Sequence, residues 1–285
     1  MKNGNIGTRI ATASVLFVLI TALTYMGGVY FLLLIGSISI AATREVHRLL
    51  APGGLLPGKG ALMAGVALVL AGAHLGEQYF LIVFYVAVTG VLTVHLALGA
   101  DDISEYVRRA GMSLVALTLL AMMTGFAVLL RNIGDPLEGA GPPVWAWLKN
   151  ELGFFLVAMA FLCGAANDSA AYFAGKWAGK TKLAPNISPG KTVEGGVAGV
   201  AASVGTALLV NSVFGSPFSI ALASVCGLLA GVLSVTGDLI ESAIKRNCNA
   251  KDSGTMLPGH GGVFDRFDGM IFVFPAFYII AALLR

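Results

Sequence analysis

The chain has 285 residues, of which 57% are hydrophobic and only 12% are charged, and its formal net charge is +3. So apolar a composition excludes an ordinary water-soluble domain, because too few polar side chains remain to cover its surface. The small net charge gives no argument for a nucleic-acid partner. The three cysteines are scattered and have neither the spacing of a metal site nor that of a disulfide framework.

Apolar segments of roughly the length that crosses a bilayer as a helix follow one another along the chain. They cover 9–26, 28–46, 60–75, 78–99, 110–131, 151–174, 195–214, 217–245 and 269–284. The first lacks a clear cleavage pattern, so we expect it to be a retained span and not a signal peptide. We predict an all-α, polytopic membrane protein with about nine transmembrane helices, forming a single domain over residues 1–285.

Lysines and arginines are divided unevenly between the two sides of the membrane that this topology defines. Only Arg131, Lys149 and Arg285 lie opposite the N-terminus, and the other 15 of the 18 lie on its side. Because positively charged loops remain in the cytoplasm, we predict a cytoplasmic N-terminus and an external C-terminus. The two charged loops 175–194 and 246–268 then face the cytoplasm.

The first of these loops follows Asp168, which we expect to be largely buried at the end of the sixth helix. Lys176 and Lys191 lie beside glycines, where a phosphate group can approach the backbone closely. A simpler interpretation is that the basic residues bind anionic lipid headgroups, and it applies most to Lys180 and Lys182.

Asp238, Glu241 and Lys245 recur at helical spacing where the eighth helix ends, and Arg246 follows them. Their spacing places the first three on one helix face. Carboxylates so near an apolar segment are costly and usually face a polar cavity or a partner. A structural ion pair between Glu241 and Lys245 is the alternative.

Two further carboxylates, Asp265 and Asp268, are three residues apart just before the ninth helix. On a helical turn both would point the same way, and Asp238 from another helix would complete a site for a divalent cation such as Mg²⁺. The alternative is that they complement the dipole of the ninth helix.

A glycine-rich turn surrounds His260. Gly261 and Gly262 allow backbone N–H groups to approach a phosphate, and His260 can donate a hydrogen bond to one or act as an acid or base. A purely structural turn is the alternative.

Together these residues resemble the family signature of the phosphatidate cytidylyltransferases, or CDP-diacylglycerol synthases. The matching elements are Ser242, Lys245-Arg246, Lys251-Asp252, His260-Gly261-Gly262 and Asp265-Arg266-Phe267-Asp268. The preceding segment is also similar, at Ala171-Tyr-Phe-Ala-Gly-Lys176 and Ser188-Pro-Gly-Lys-Thr-Val-Glu-Gly195. It departs from the family at Gly190, where a lysine is common, and at Ser169-Ala170. The specific resemblance is confined to the C-terminal half, so we expect the catalytic region at about 165–270, in helices six to nine and the two charged loops.

The resemblance implies that CTP and phosphatidic acid are converted to CDP-diacylglycerol and pyrophosphate with Mg²⁺, and it leaves open a second cation such as K⁺. It implies Asp238, Asp265 and Asp268 as metal ligands. The expected catalytic residues are Asp238, Lys245, Arg246, Lys251, Asp252, His260, Asp265, Arg266 and Asp268. The expected substrate-binding residues are Asp168, Lys176, Lys191, Glu194, Ser242, Gly261 and Gly262, with Glu194 orienting a lysine. Because the attacking phosphate is already ionised at neutral pH, we expect His260 to bind phosphate and not to act as a base.

Two other activities fit the residues less well. A CTP-dependent kinase of polyprenol or dolichol type is disfavoured by the complete stretch from Lys251 to Asp268. An ion-coupled transporter is disfavoured because the charged residues cluster at one membrane face and no repeat is found. The expected partners are CTP, phosphatidic acid and membrane lipids, with no nucleic acid, and a homodimer is left open. We expect the protein in the cytoplasmic (inner) membrane, with its active site facing the cytoplasm.

Overall fold

The computed structural model describes residues 6–50, 59–97, 103–134, 151–254, 256 and 261–284. These residues are almost entirely helical, which confirms the all-α class. The helices are α1 (Ile6–Met26), α2 (Gly28–Leu50), α3 (Lys59–Leu75), α4 (Glu77–Ala97), α5 (Ile103–Arg131), α6 (Leu152–Ala178), α7 (Val193–Val213), α8 (Ile220–Asn247), α9 (Phe264–Phe267) and α10 (Met270–Leu284). Two short strands, β1 (Lys182–Ala184) and β2 (Ser188–Thr192), lie between α6 and α7.

Seven spans within the described ranges are long and apolar enough to cross a membrane, which confirms a polytopic membrane protein. They are α2, α4, α5, α6, α7, α8 and the segment Phe264–Leu284. The remaining apolar helices, Phe17–Met26 of α1 and Gly60–Leu75 of α3, are shorter. A total of nine crossings and the orientation of the termini stay predictions.

Several helices are longer than their hydropathy indicated. α2 continues to Leu50, α5 begins at Ile103, and α6 continues to Ala178. Hydropathy marks only the apolar part of a helix, whereas the backbone hydrogen bonds continue into polar turns. The predicted loop 175–194 therefore begins with the last turn of α6.

Most of the rest of that predicted loop is a β-hairpin, where the sequence indicated only a charged loop. β1 and β2 are antiparallel, with Lys182 opposite Thr192 and Ala184 opposite Ser188. Both strands are short, and β2 contains Pro189 and Gly190, so the sequence lacks the alternation that identifies a strand. The hairpin carries Lys191 in its second strand.

The described chain divides into two compact units. The first unit comprises Met1–Leu129 and Asn247–Phe267, and the second comprises Leu130–Arg246 and Asp268–Arg285. In the first unit, Phe80 of α4 meets Phe126 of α5 edge to face, with ring centroids 5.0 Å apart. That residues 1–285 act as one membrane domain stays a prediction.

In the second unit, α7 and α8 approach each other closely through small residues. A Cβ at Gly227 would lie 2.6 Å from Cα of Val204, and one at Gly231 would lie 2.8 Å from Cα of Val200. Such contacts are closer than real Cβ atoms tolerate, so glycine permits this spacing of the two backbones. Phe155 packs in the same unit against the rings of Phe214 and Phe218.

Candidate active site

Three carboxylates of the second unit lie together. One ligand oxygen from each of Asp238, Glu241 and Asp268 lies within 4.8 Å of the others. Asp238 and Glu241 are one turn apart on α8, and Asp268 precedes α10. Gly237 permits this arrangement, because a Cβ there would lie 3.3 Å from Cα of Gly269 and still closer to the carbonyl group of Asp268. We call Asp238, Glu241 and Asp268 the carboxylate cluster.

Two lysines neutralise part of the negative charge of the carboxylate cluster. Nζ of Lys191 lies 2.5 Å from Oδ2 of Asp238, and Nζ of Lys245 lies 2.5 Å from Oε2 of Glu241. Glu241 is fully buried, and Lys245 is almost so. The helical spacing therefore identified both the shared face of α8 and the alternative ion pair. Ser242 donates from Oγ to Oδ1 of Asp238 over 3.2 Å.

The carboxylate cluster has the donor chemistry that a hard divalent cation prefers. Mg²⁺ is commonly held by one or two carboxylates together with substrate phosphates. Of the three predicted metal ligands, Asp238 and Asp268 belong to this group. Glu241 was not predicted as a ligand, although its spacing of three residues from Asp238 was a signal.

Asp265, the third predicted ligand, lies in the first unit and binds the backbone of its own loop. Its carboxylate accepts hydrogen bonds from the N–H of Ser253 at 3.1 Å and from the N–H of Gly262 at 2.9 Å. Asp265 thus joins the two ends of the loop, and its role as a metal ligand stays a prediction. Gly261, beside it, has a positive φ of 84°, a conformation that favours glycine.

The remaining predicted residues of the first unit are exposed or undescribed. Lys251, Asp252 and Arg266 are exposed to solvent. His260 lies outside the residues that the structure describes. The roles proposed for these four side chains rest on the sequence.

The end of α6 differs from expectation in one respect. Asp168 is exposed, whereas its neighbour Asn167 is buried and donates from Nδ2 to Oδ1 of Asp168 over 3.5 Å. Successive residues of a helix point in directions about 100° apart. Because Asn167 lies on the buried face of α6, Asp168 points towards the exposed face. Lys176 is also exposed.

Glu194 fixes the hairpin to the start of α7. Its carboxylate accepts from the backbone N–H groups of Lys180 and Thr181, both at 3.1 Å. Glu194 was predicted to orient a lysine. The hydrogen bond to Lys180 comes from its backbone N–H and not from its ammonium group. Thr192 caps α7 by accepting a hydrogen bond from the N–H of Gly195 at 3.2 Å.

Arg246 connects the end of α8 to the same hairpin. Its Nε donates to the carbonyl oxygen of Ile187 over 3.2 Å. The side chain is exposed. Glu194 therefore holds the segment just before β1, and Arg246 holds the turn between the two strands. Lys191 extends from this hairpin to the carboxylate cluster.

Glu45 of α2 is a residue that sequence reasoning missed. It is only 1% exposed, and its carboxylate accepts from the N–H groups of Val263 and Phe264 at 3.0 Å and 2.8 Å. Ser253 donates to it from Oγ over 3.2 Å. One signal was available, because a carboxylate within an apolar membrane helix is costly and usually functional.

Comparison with known proteins identifies relatives over nearly the whole chain. The profile of the cytidylyltransferase family matches residues 7–284. A Synechocystis protein named phosphatidate cytidylyltransferase is 33% identical over 291 residues, covering 97% of this chain and 96% of that protein. A Brucella suis protein of the same name is 34% identical, covering 98% and 94%. A Bacillus subtilis protein of that name is 47% identical over 116 residues, which is 41% of this chain and 43% of that protein.

Proposed function

This chain belongs to the cytidylyltransferase family, and we propose that it is a membrane-integral phosphatidate cytidylyltransferase. The reaction joins CTP and phosphatidic acid to give CDP-diacylglycerol and pyrophosphate. Within the structure, the proposal is supported most by the carboxylate cluster with its two lysines, because cations and metal-binding carboxylates at one place suit the transfer of a nucleotidyl group.

Asp238 and Asp268 are proposed to hold one Mg²⁺ ion, with Glu241 beside them. Their oxygens are hard donors and lie close enough together to share one ion. The bound ion would offset the negative charge of the CTP phosphates. Lys191 is paired with Asp238, so it is placed to contact a phosphate bound at the same position.

In the proposed step, an oxygen of the phosphatidate phosphate forms a bond to the α-phosphorus of CTP. The bond from that phosphorus to the bridging oxygen of the β-phosphate breaks, and pyrophosphate leaves with the electron pair. The attacking phosphate is already ionised, so no strong general base is needed. Phosphoryl chemistry of this kind depends on positioning and on charge neutralisation, which Lys191, Lys245 and Arg246 would supply.

On the resemblance to the family, the charged loop 246–268 is proposed to bind substrate phosphates. Lys251 and Arg266 are exposed cations on it, and His260 is proposed to donate a hydrogen bond to phosphate. Asp252, Asp168 and Lys176 are proposed to border the same substrates, on the resemblance to the family.

We also propose the location of the site. The protein is an integral membrane protein, and the bacterial relatives support the inner membrane. An active site that faces the cytoplasm would bring water-soluble CTP to a substrate within the bilayer.

The fate of the γ-phosphate tests the reaction class. Purified protein in detergent would be given phosphatidic acid, Mg²⁺ and CTP labelled at the γ-phosphate. We expect the label to be released as pyrophosphate, in an amount equal to the phosphatidic acid consumed. A parallel reaction contains a polyprenol in place of phosphatidic acid. Label in the lipid extracted from that reaction would instead support a lipid kinase, and a folded protein that consumes no CTP with either acceptor would contradict both enzymatic assignments.

A further inference from the structure

Glu45 lies far in the sequence from the segment that carries most of the proposed catalytic residues. Two hundred and eight positions separate it from Ser253, with which it shares a hydrogen bond. α2 is an apolar helix, so a carboxylate buried in it must be stabilised by donors from elsewhere. All the donors named below come from the loop 247–267 of the same unit.

The hydrogen bonds of Glu45 fix both ends of the loop. Oε1 accepts from the N–H of Val263, and Oε2 accepts from the N–H of Phe264 and from Oγ of Ser253. These three hydrogen bonds engage both oxygens of a buried carboxylate, which would otherwise lack partners. Glu45 therefore holds the start of α9 and the segment around Ser253 in one position.

Two glycines of the loop form a close-fitting seat for this carboxylate. A Cβ at Gly262 would lie 2.7 Å from Oε2 of Glu45, and a Cβ at Gly254 would lie 2.7 Å from its Cδ. Any side chain at either position would displace the carboxylate or the loop. The glycine at position 262, which the sequence indicates as a phosphate contact, thus has a second reason to be glycine.

Asp265 performs a similar function from within the loop. It accepts from the N–H groups of Ser253 and Gly262, so Ser253 is held by two carboxylates, through its N–H and through its hydroxyl. Ser253 is itself buried. The carboxylates of Glu45 and Asp265 consequently hold the backbone of this loop, while the side chains of Lys251 and Arg266 remain exposed.

We propose that Glu45 is a positioning residue for the transfer reaction: it sets the conformation of the described segments 251–254 and 261–266 and thereby the positions of Lys251 and Arg266, the cations that these segments present to substrate phosphates. This inference rests on the proposed function for its catalytic consequence. It assigns a role in the reaction to α2, which lies outside the part of the sequence that carries the family signature.

The test uses full-length enzyme in detergent, with Glu45→Gln as the principal variant and Glu105→Gln as its matched control. Glu105 is a partly exposed residue of α5 that pairs with Arg109. In the principal variant, the glutamine amide keeps the size of the side chain but places an NH₂ group against backbone donors. Because a small misplacement of catalytic groups can cost about 100-fold, we expect kcat per folded molecule to fall by about that factor, with KM for CTP changed less. Glu105→Gln should leave kcat unchanged.

Amide hydrogen exchange supplies a readout that does not depend on activity. In Glu45→Gln, the amides of Ser253, Val263 and Phe264 should exchange faster, while those of α6 and α8 keep their protection. Ser253→Ala removes one of the hydrogen bonds without changing the buried carboxyl group, and it should produce the same changes to a smaller degree. This variant keeps the test decisive if Glu45→Gln does not fold.

The two hypotheses can fail separately. The positioning role would be overturned if Glu45→Gln changed neither kcat per folded molecule nor the protection of the loop amides. Should that variant not fold, the same result in Ser253→Ala would overturn it. A wild-type enzyme that transfers nothing to lipid would contradict the proposed function, and the exchange measurement would still show whether Glu45 holds the loop. A fall in the amount of folded protein, with normal kcat in the folded fraction and loop protection intact, would reduce Glu45 to a structural residue.

Discussion

At the scale of residues, the buried pair of Glu241 and Lys245 combines a structural and a chemical function. Its two charged atoms are 2.5 Å apart, and the side chains are 0% and 10% exposed. A charge left alone in such a place is costly, because neither water nor an opposite charge stabilises it. The ammonium group of Lys245 therefore offsets the carboxylate charge of Glu241 within the carboxylate cluster.

Lys245→Met is expected to destabilise the protein by about 3–5 kcal/mol, because it leaves a buried carboxylate without its ammonium partner. Glu241→Gln combined with Lys245→Met should recover most of that stability, since both charges are gone. Thermal unfolding in detergent measures both variants. Equal melting temperatures for the wild type and Lys245→Met would show that the ion pair does not stabilise the fold.

The two lysines of the hairpin allow a matched comparison. Lys191 contacts Asp238, whereas Lys182 lies exposed on the opposite strand. Removing a group that stabilises transition-state charge typically costs about 10²–10³ in kcat, so Lys191→Met should lose activity by that factor. Lys182→Met should lose little at saturating mixed-micelle substrate. Equal losses in initial-rate assays would indicate that both lysines act only by binding lipid headgroups.

At the scale of elements, the spacing of α7 and α8 depends on glycine. Gly227→Ala would place a Cβ 2.6 Å from Cα of Val204, whereas a Cβ at Gly205 would meet no atom within 4 Å. Overpacking of this kind costs about 1–3 kcal/mol. We expect Gly227→Ala to lower the melting temperature and Gly205→Ala to leave it unchanged. A tolerated Gly227→Ala would mean that the helices can separate freely.

The helices and the shared face of α8 could be predicted because their signals are local. Long apolar segments indicated the spans, and the spacing of Asp238, Glu241 and Lys245 indicated both their shared face and the ion pair. The hairpin gave no such signal, since its strands are short and the second contains proline and glycine. The exposure of Asp168 depends on which face of α6 is covered, and this is fixed by packing.

The hydrogen bonds of Glu45 could not be predicted from the sequence. Its donors follow it by more than two hundred residues, and no periodicity connects a helix with a loop so distant in the chain. The hydrogen-bond partners of Asp265 could not be predicted from the sequence either. The sequence placed it in an acidic motif suited to a metal, but only the folded structure shows that its oxygens accept hydrogen bonds from Ser253 and Gly262.

At the scale of the whole molecule, the distribution of charge predicts which side of the membrane each segment faces. The hairpin between α6 and α7 should be cytoplasmic and the turn between α7 and α8 external, because lysines and arginines concentrate on the side of the hairpin. In a Cys248→Ser background, where the other cysteines are buried, Lys182→Cys and Ser216→Cys place single thiols on the two sides.

A membrane-impermeant maleimide should label Lys182→Cys only in inverted vesicles and Ser216→Cys only in intact spheroplasts. Both variants carry their thiols at exposed positions, so accessibility of the side chain does not limit the reaction. The opposite pattern would reverse the orientation and place the carboxylate cluster away from the cytoplasm.

The central claim is that the carboxylate cluster serves the transfer of a cytidylyl group to a membrane lipid. It is tested most directly by incubating purified protein in detergent with phosphatidic acid, Mg²⁺ and CTP labelled at the α-phosphate, and comparing the wild type with Asp268→Asn. We expect label in a lipid-extractable product from the wild type, and its loss in the variant and after chelation of the metal. An unlabelled lipid fraction from folded wild-type protein would contradict the assigned reaction, and full activity in Asp268→Asn would remove the carboxylate cluster from it.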